Sequence, residues 1–294
     1  MGKGGRRRGQ AQEERNDEGG TRQVHRQSLS KWAWGRGTAI TGRSPCIHVP
    51  RGSWTLPRTR SSRMKIGIIG AGNIGHTLAK RFRELDHEVL IANSRGPQTL
   101  SAIENETGAV AVTAAEAARG GEVVIVTIPQ ARVADLPSDL FDGVPADTVV
   151  VDTGNYYPRQ RDGRIDAIED GVPESQWVAD RLGRPVIKAF NNIYAEHLGK
   201  HGRPSTDDRR IALPVAGDDP NAKAKVLRLV GELGFDGVDA GTLAESWRQQ
   251  PGTPVYTTDR DLEGVRQGLL DARRERTPEW TATAHSPGTF ETPR

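Results

Sequence analysis

The stretch that decides the fold is Lys65-Ile66-Gly67-Ile68-Ile69-Gly70-Ala71-Gly72-Asn73-Ile74-Gly75. Its first five residues form an apolar run typical of a buried strand, and a helix follows because apolar residues recur at helical spacing at Ile74, Leu78, Phe82 and Leu85. Between them lies Gly-x-Gly-x-x-Gly. In that context Gly70 permits a tight turn, Gly72 lets the backbone approach a pyrophosphate, and Gly75 lets the helix pack on the strand. The pattern predicts a dinucleotide-binding turn.

The end of the second predicted strand, 89–92, indicates which dinucleotide binds. An NAD enzyme usually has Asp or Glu there, about 20 residues after the glycines, to accept from the ribose 2′-OH. Here the chain reads Asn93-Ser94-Arg95, without a carboxylate. A guanidinium fork and a hydroxyl suit a 2′-phosphate, so we predict NADP(H) rather than NAD(H). A solvated loop arginine is the alternative.

The remaining pattern predicts an α/β fold. From Met64 onward, short apolar runs alternate with amphipathic stretches, which indicates βαβ units and a parallel sheet. Further strands are predicted at 123–128, 148–152, 185–190, 211–216 and 235–240. Thr113 and Glu116 form a capping box, Asp219 precedes a helix over 220–233, and 261–276 has helical spacing. We predict a Rossmann-like doubly wound parallel sheet with a C-terminal αβ extension.

The first 63 residues differ from the rest in charge and apolar content. They carry 14 Lys and Arg against 4 Asp and Glu, which leaves 27 basic and 34 acidic residues in 64–294. With six Val, Ile, Leu or Phe residues, the segment buries too little surface to offset its ordering entropy, so we expect disorder. We favour an extension translated from upstream of the true start. The alternative is a basic arm for nucleic acid, with Trp32, Trp34 and Trp54 interleaved.

Four segments follow from these patterns. We expect a disordered basic extension over 1–63, an NADP-binding Rossmann domain over 64–195, an αβ extension completing the substrate cleft over 196–276, and a disordered Thr/Pro-rich tail over 277–294.

Composition excludes several classes of protein. The single cysteine, Cys46, excludes a disulfide framework, a zinc ribbon and a cluster held by several thiolates. No run approaches 18 consecutive apolar residues, and no apolar h-region follows the early arginines. We expect a cytoplasmic protein without a membrane partner and with nucleic acid disfavoured, and the predicted NADP(H) turn adds the expectation of a small-molecule redox substrate. Assembly into a homo-oligomer is compatible with these observations.

Three other groups of residues have structural explanations. His197 and His201 are four residues apart, but without a neighbouring Cys or an H-E-x-x-H arrangement we favour polar helix surface over a metal pair. Asp152 and Asn155 follow a strand and could contact ribose or substrate, or cap the strand end. The mixed charges over 159–170 indicate a solvated loop.

Several motifs together resemble one known family. They are the glycine turn, Ser94-Arg95, Thr127-Ile128-Pro129, and the stretches 213–219 and 238–243. This set is similar to the NADPH-dependent reductases of coenzyme F420, a deazaflavin, within the F420-dependent NADP oxidoreductase family. That family is related to the N-terminal domain of pyrroline-5-carboxylate reductase. The resemblance covers Met64 to about Tyr256; the glycine turn is generic, and the later motifs are more specific.

The resemblance implies roles for particular residues. Gly70, Ala71, Gly72, Asn73, Ile74 and Gly75 would hold the pyrophosphate, and Asn93, Ser94 and Arg95 the 2′-phosphate end. Ile128, Gln130, Arg132 and Ala195 would line the nicotinamide half; Gln130 and Arg132 replace the Trp and His of methanogen-type enzymes. Asn191 and Asn192 would face the gap between cofactor and deazaflavin. Arg248 and Gln250 belong to a loop, 247–254, that would close over the second substrate.

We therefore predict an NADP(H)-dependent oxidoreductase whose co-substrate is a deazaflavin of the coenzyme F420 kind. Hydride transfer between two cofactors needs orientation and dry surroundings more than a catalytic side-chain set, so no catalytic residue and no metal is assigned. The alternatives are an NADPH-dependent imine, carbonyl or flavin reductase, and an NADP(H)-binding regulator without turnover.

Overall fold

The computed structural model describes residues 63–275 and 288–294. The predicted disordered extension over 1–63, apart from Arg63, and residues 277–287 of the predicted tail lie outside the described residues.

A six-stranded parallel sheet forms the centre of the fold. Its strands are β1 (Lys65–Ile69), β2 (Glu88–Ala92), β3 (Val110–Ala111), β4 (Val123–Val126), β5 (Val149–Asp152) and β6 (Val186–Lys188). They lie in the order β3-β2-β1-β4-β5-β6. Strands β4 and β5 are buried at every position, as expected where helices cover both faces. The order reverses between β1 and β4, which is the switch point where such sheets bind ligands. The predicted fold class is confirmed.

Eight α-helices accompany the strands in the described part of the chain. They are α1 (Asn73–Glu84), α2 (Ser101–Thr107), α3 (Ala114–Gly120), α4 (Asp166–Glu169), α5 (Glu174–Leu182), α6 (Ala195–Lys200), α7 (Pro220–Glu232) and α8 (Leu262–Asp271). The capping box of Thr113 and Glu116 is confirmed. Asp219 caps α7, accepting from the N–H groups of Asn221 and Ala222. Among these residues no helix has the length and apolarity needed to cross a membrane.

The C-terminal part adds a smaller sheet. Strands β7 (Ala212–Val215) and β8 (Asp236–Asp239) pair in parallel. Strand β7 reaches the central sheet through an antiparallel bridge, in which the Lys188 N–H donates to the Ala216 oxygen at 2.8 Å and the Ala216 N–H donates back at 3.0 Å. Because β7 runs antiparallel to β6, the extension borders the central sheet without adding a seventh parallel strand.

The stretch 159–170 is not the solvated loop that its charges indicated. It contains a π-helical turn, Pro158–Asp162, and helix α4. The side chain of Asp162 is fully buried although Arg161 pairs with it at 3.0 Å. Its two carboxylate oxygens accept the N–H groups of Ala131 at 3.3 Å and Tyr157 at 2.8 Å. The prediction was wrong here because charge content does not reveal which carboxylate satisfies buried backbone donors.

The last seven residues, 288–294, contact this π-helical turn. Arg159 Nε donates to the Gly288 oxygen at 2.8 Å, and the Arg294 N–H donates to the Arg159 oxygen at 3.0 Å. The disordered tail expected over 277–294 stays a prediction, since only 288–294 of it are described.

Candidate functional site

The glycine turn after β1 combines two crowded positions with one open position. A Cβ on Gly70 would lie 2.2 Å from the Thr127 oxygen, and φ at Gly70 is +118°; a Cβ on Gly75 would lie 1.9 Å from the Gly70 oxygen. Both positions therefore require glycine for the fold itself. A Cβ on Gly72 would meet nothing within 4 Å, so its backbone faces open space. This is the geometry of a turn that a ligand can approach.

The N-terminus of α1 adds a positive end to that turn. No side chain caps it, and its first turn contains no acidic residue. The first N–H groups of a helix lack intrahelical acceptors, and with the helix dipole they favour a bound anion. Asn73 is exposed, whereas Ala71 and Ile74 are partly buried and pack against the main core. The residues present fit a diphosphate.

The loop after β2 presents two free polar groups. Asn93 Oδ1 accepts the Arg95 N–H at 2.9 Å, and Asn93 Nδ2 donates to Thr99 Oγ1 at 2.9 Å. These bonds fix the loop, while Ser94 and Arg95 are exposed. Within the described residues, neither the Ser94 hydroxyl nor the Arg95 guanidinium has a hydrogen bond or an ion pair. Asn93 thus shapes the loop, and Ser94 and Arg95 offer donors from it.

The three residues predicted near the nicotinamide have different environments. Ile128 is partly buried beside Gly70. Gln130 is fully buried, and its Nε2 donates to the Glu174 oxygen at 3.0 Å. Arg132 is exposed and pairs with Asp135 at 2.9 Å. The structure therefore brings Ile128 to the turn, places Gln130 beneath the loop after β5, and leaves Arg132 in a surface ion pair.

A buried ion pair lies where β5 and β6 end. Lys188 Nζ lies 3.0 Å from Asp152 Oδ2, and both side chains are at most 2% exposed. Asp152 also accepts from Ser175 Oγ at 2.7 Å and from the Gly154 N–H at 2.8 Å, and Lys188 donates to the Gly154 oxygen. With its charges paired and its oxygens satisfied, this group supports the loops above it. The sequence suggested a strand-end role for Asp152 but gave no signal for Lys188.

Three side-chain amides converge beyond those strand ends; we call Asn155, Asn191 and Gln249 the amide cluster. Asn191 Nδ2 donates to Asn155 Oδ1 at 3.1 Å and to the backbone oxygen of Gln249 at 2.6 Å, while Gln249 Nε2 donates to Asn191 Oδ1 at 3.0 Å. Phe190, just before Asn191, is buried with φ at +61°, a conformation that bulky residues rarely adopt. Such strain is typical of functional sites. Sequence analysis found Asn191 but missed Gln249, which belongs to a distant segment.

The other predicted substrate residues divide into two groups. Asn192 is buried; its Nδ2 donates to the Val255 oxygen at 3.4 Å, and its backbone oxygen accepts the Thr257 N–H at 3.0 Å. Gln250 is buried and borders a cavity of about 140 Å³ with the segments 171–173 and 273–275. Arg248 instead donates to the Leu269 oxygen at 3.1 Å and stacks on Trp247. Its guanidinium therefore serves packing against α8.

Two tyrosines that sequence analysis missed meet beside the amide cluster. The hydroxyls of Tyr157 and Tyr256 form a short hydrogen bond. Burial raises the pKa of both phenols, so both stay protonated at neutral pH. Their separation of 99 residues gave no signal in the sequence.

The parallel topology arranges these parts along one sheet edge. The carboxyl ends of β2, β1, β4, β5 and β6 lead, in that spatial order, to Arg95, Gly72, Ile128, Asn155 and Asn191. Neighbouring strands lie about 4.8 Å apart, so the loops after β2 and β6 are separated by about 19 Å. Ala195 begins α6, shortly after the β6 loop. Fold and site thus define a protein of the Rossmann type with a turn suited to a dinucleotide.

The comparisons with known proteins identify the family. Residues 65–156 match the family described as NADP oxidoreductase, coenzyme F420-dependent. The protein SMa0349 from Sinorhizobium meliloti is 32% identical, and the match covers 69% of this chain and 97% of that one, with a TM-score of 0.59. The chain belongs to this family and is an NADP-dependent oxidoreductase.

Two further relatives are more limited in extent or identity. A protein from Arthrobacter sp. FB24, assigned as an F420-dependent NADP reductase, is 24% identical with a TM-score of 0.50, covering 62% of this chain and 87% of that one. That likeness shows the fold. The protein YjhV of Escherichia coli K12 is 50% identical over 76 residues, which are 26% of this chain and 48% of YjhV. The match thus spans about half the length of that relative.

Proposed function

We propose that this protein transfers a hydride between NADP(H) and a deazaflavin of the coenzyme F420 kind. One observation carries the proposal: a single sheet edge leads, in strand order, from free Ser94 and Arg95 donors, through an uncapped helix N-terminus, to a group of buried amides. That order matches an extended dinucleotide followed by a second ring system.

The proposed cofactor contacts follow from the free groups on this edge. The diphosphate would lie on the Gly72 backbone and the first N–H groups of α1, and the 2′-phosphate on Ser94 and Arg95. Ile128 and Ala195 would border the nicotinamide half. When bound, NADP(H) supplies the hydride, and the protein orients it and excludes water.

The second ring is proposed from buried atoms that lack partners. Within the described residues, Asn192 Oδ1, Gln249 Oε1 and Gln250 Nε2 are buried without a hydrogen bond. The large majority of buried side-chain polar atoms in proteins are hydrogen-bonded, so three unpaired atoms on the segments 192 and 249–250 support a polar ligand at this end of the site. The pyrimidinedione edge of a deazaflavin offers an N–H donor that a free amide oxygen can accept, and carbonyl oxygens to which the Gln250 amide N–H can donate.

An exposed aromatic side chain supports the same substrate class. Tyr194 is 55% exposed, although large hydrophobic residues are usually buried. It precedes α6 and follows Asn191 and Asn192 closely. A flat tricyclic ring could stack on it, since aromatic pairs gain about 0.5–1.5 kcal/mol beyond their buried area.

The cofactor half of the proposal is tested by Arg95→Ala. Losing charge-assisted bonds worth about 1.5–3 kcal/mol should weaken NADPH binding roughly 10-fold to 100-fold, because each 1.4 kcal/mol is tenfold in Kd. NADH binding, measured by calorimetry on the same variant, should change little. Arg119→Ala is the matched control, since Arg119 is exposed in the last turn of α3. Equal losses for NADPH and NADH would refute the 2′-phosphate assignment.

The substrate half is tested by absorbance at 340 nm. We expect NADPH oxidation when coenzyme F420 is added, and none with imines, carbonyls or flavins under the same conditions. Oxidation only with another acceptor would overturn the deazaflavin assignment and keep the oxidoreductase class. Tight NADPH binding with no turnover on any acceptor would favour a regulator.

The Tyr157–Tyr256 pair supports the second candidate, an imine or carbonyl reductase. Reduction of such a substrate adds a hydride to carbon and requires a hydrogen-bond donor at nitrogen or oxygen, and a protonated phenol can provide it. If this candidate is correct, Tyr157→Phe and Tyr256→Phe should lower kcat with an imine or ketone while leaving the NADPH Kd unchanged.

A further inference from the structure

Two histidines and one aspartate come together at the C-terminal end of α6, outside the proposed cofactor contacts; we call His197, His201 and Asp259 the His–Asp cluster. One potential ligand atom from each lies within 4.8 Å of the other two. In the part of the chain that the structure describes, this is the single group of three or more His, Cys, Asp or Glu side chains close enough to share a metal ion.

Helix α6 supplies His197, and its C-cap residue is His201. Residues four apart lie on the same face of a helix, and the rings of His197 and His201 stack with centroids 4.5 Å apart. This is the spacing with which helical histidine pairs bind zinc. The sequence gave the pair but no third ligand, so polar helix surface was the favoured explanation there.

Asp259 comes from the segment before α8, 58 residues further along the chain than His201. Its carboxylate pairs with His197 Nδ1, and its other oxygen, Oδ1, is buried without a hydrogen bond. Thr257 and Asp259 have φ values of +51° and +48°, and for a β-branched residue such as Thr257 this conformation is an outlier. The segment thus adopts unfavourable backbone angles while it holds the carboxylate against the helix, as strained functional segments do.

We propose that the His–Asp cluster binds a divalent transition-metal ion, with Zn²⁺ as the ion that suits it best. Imidazole nitrogens favour Zn²⁺ over Mg²⁺ and Ca²⁺, which prefer all-oxygen sites, and two histidines with one carboxylate are a known zinc ligand set. Three protein ligands leave the fourth tetrahedral position to water. His197 and Asp259 are about 30% exposed, so the ion can enter from solvent.

The bound ion would stabilise the loops at the substrate end of the proposed site. Thr257, two residues before Asp259, donates its N–H to the Asn192 oxygen at 3.0 Å, and Tyr256 precedes it. A metal that joins Asp259 to α6 would therefore hold Tyr256 and the Asn192 loop in place. This inference does not depend on which substrate the enzyme reduces.

The test is calorimetric titration of the metal-depleted full chain with Zn²⁺. Because Cys46 and His48 can bind zinc by themselves, every protein in the test carries Cys46→Ser and His48→Ala. We expect one site per chain. His201→Ala and Asp259→Asn each remove one ligand, and each should lower the affinity for Zn²⁺ at least about 100-fold. That loss exceeds the 10–100-fold typical of losing an outer-shell partner. Glu196→Gln removes a carboxylate on the same helix that pairs with Lys200, and this control should bind Zn²⁺ as tightly as the parent.

Two further measurements separate a metal site from a plain ion pair. Zn²⁺ at a hundredfold excess over Kd should raise the Tm of the parent by roughly 5–10 °C and that of His201→Ala much less, whereas Mg²⁺ should raise neither. Co²⁺ in place of Zn²⁺ should give visible absorption bands that Asp259→Asn shifts or abolishes. If the parent binds no Zn²⁺, or the variants bind it equally well, the His–Asp cluster is an ion pair and the inference fails. Neither result bears on NADPH binding.

Discussion

The two ends of the site are built in different ways. At the phosphate end, one continuous stretch, 65–75, supplies strand, turn and helix, and the ligand-facing groups are mainly backbone N–H groups. At the substrate end, the loops after β5 and β6 and the segment 249–257 contribute side-chain amides and phenols that contact one another across 36 to 99 residues of sequence.

This difference separates what is general from what is specific. A backbone cradle at a helix N-terminus binds the diphosphate common to all these cofactors and needs only small residues. Under the proposed function, side chains at the far end select the second substrate, and those side chains need rigid support. The buried Lys188–Asp152 pair provides that support at the ends of β5 and β6. Four variants examine the contrast, from the largest expected effect to the smallest.

The first variant, Lys188→Met, removes the cation of this buried ion pair. It leaves the buried Asp152 carboxylate without its cation, and breaking a buried pair in this way costs about 3–5 kcal/mol. Urea denaturation should show that loss in the free energy of unfolding. Lys80→Met, which removes an exposed cation paired with Glu106, should change it by less than about 1 kcal/mol. The double variant Lys188→Met/Asp152→Asn should recover part of the loss; a loss under 1 kcal/mol in the single variant would show that the pair is not needed.

The second variant, Gly72→Ala, separates ligand contact from folding at the phosphate end. The added methyl meets no protein atom within 4 Å, so the Tm should stay within a degree or two, but it would stand where the proposed diphosphate binds. We expect a loss of at least about 1.4 kcal/mol in NADPH binding, which is tenfold in Kd. Gly75→Ala, with its 1.9 Å clash against backbone, should instead lower stability. Unchanged NADPH affinity in Gly72→Ala would place the diphosphate elsewhere.

The third variant, Asn191→Leu, acts at the substrate end alone. It breaks the contacts with Asn155 and Gln249, and net hydrogen-bond contributions of about 0.5–1.5 kcal/mol each suggest a roughly tenfold rise in KM for the second substrate. The Kd for NADPH, from calorimetry, should be unchanged. Asn105→Leu, at an exposed position of α2, is the matched control. A parallel loss of NADPH binding would mean that the two ends are not independent.

The fourth variant, Asp219→Ala, lies outside both ends. It removes the N-terminal cap of α7 and should cost about 1 kcal/mol of stability, since capping residues contribute about 0.5–2 kcal/mol. Thermal unfolding should register the change, with KM values and NADPH binding as in the parent. Asp208→Ala, an exposed aspartate before β7, should have no effect. Altered kinetics in Asp219→Ala would reveal coupling from the extension to the site.

Local chemistry made much of the fold predictable. Apolar runs and helical spacing predicted the main strands, α1 and α7, and the Thr113 capping box lies as predicted because its partners are three residues apart. Helix α5 was missed, since Trp177, Val178 and Ala179 are consecutive rather than spaced three or four apart, and polar Glu174 and Ser175 are buried in its first turn. The antiparallel bridge to β7 was also missed, because strand direction depends on where a chain returns and not on its composition.

The candidate site shows the same division between contacts that are local in sequence and contacts between distant segments. Its phosphate end was predicted as a unit, and its substrate end was predicted only as isolated residues. Arg248 illustrates the limit, since its sequence position suggested the substrate while its guanidinium packs on Trp247 and Leu269.

The sequence by itself determined the class of fold, the dinucleotide turn and the absence of a carboxylate after β2, because each depends on residues within a few positions of one another. Only the tertiary structure decided which distant side chains meet: Lys188 with Asp152, Tyr157 with Tyr256, Asn191 with Gln249, and Asp259 with His197. The physical reason is that burial and strand order set these contacts, and both are properties of the whole packed chain.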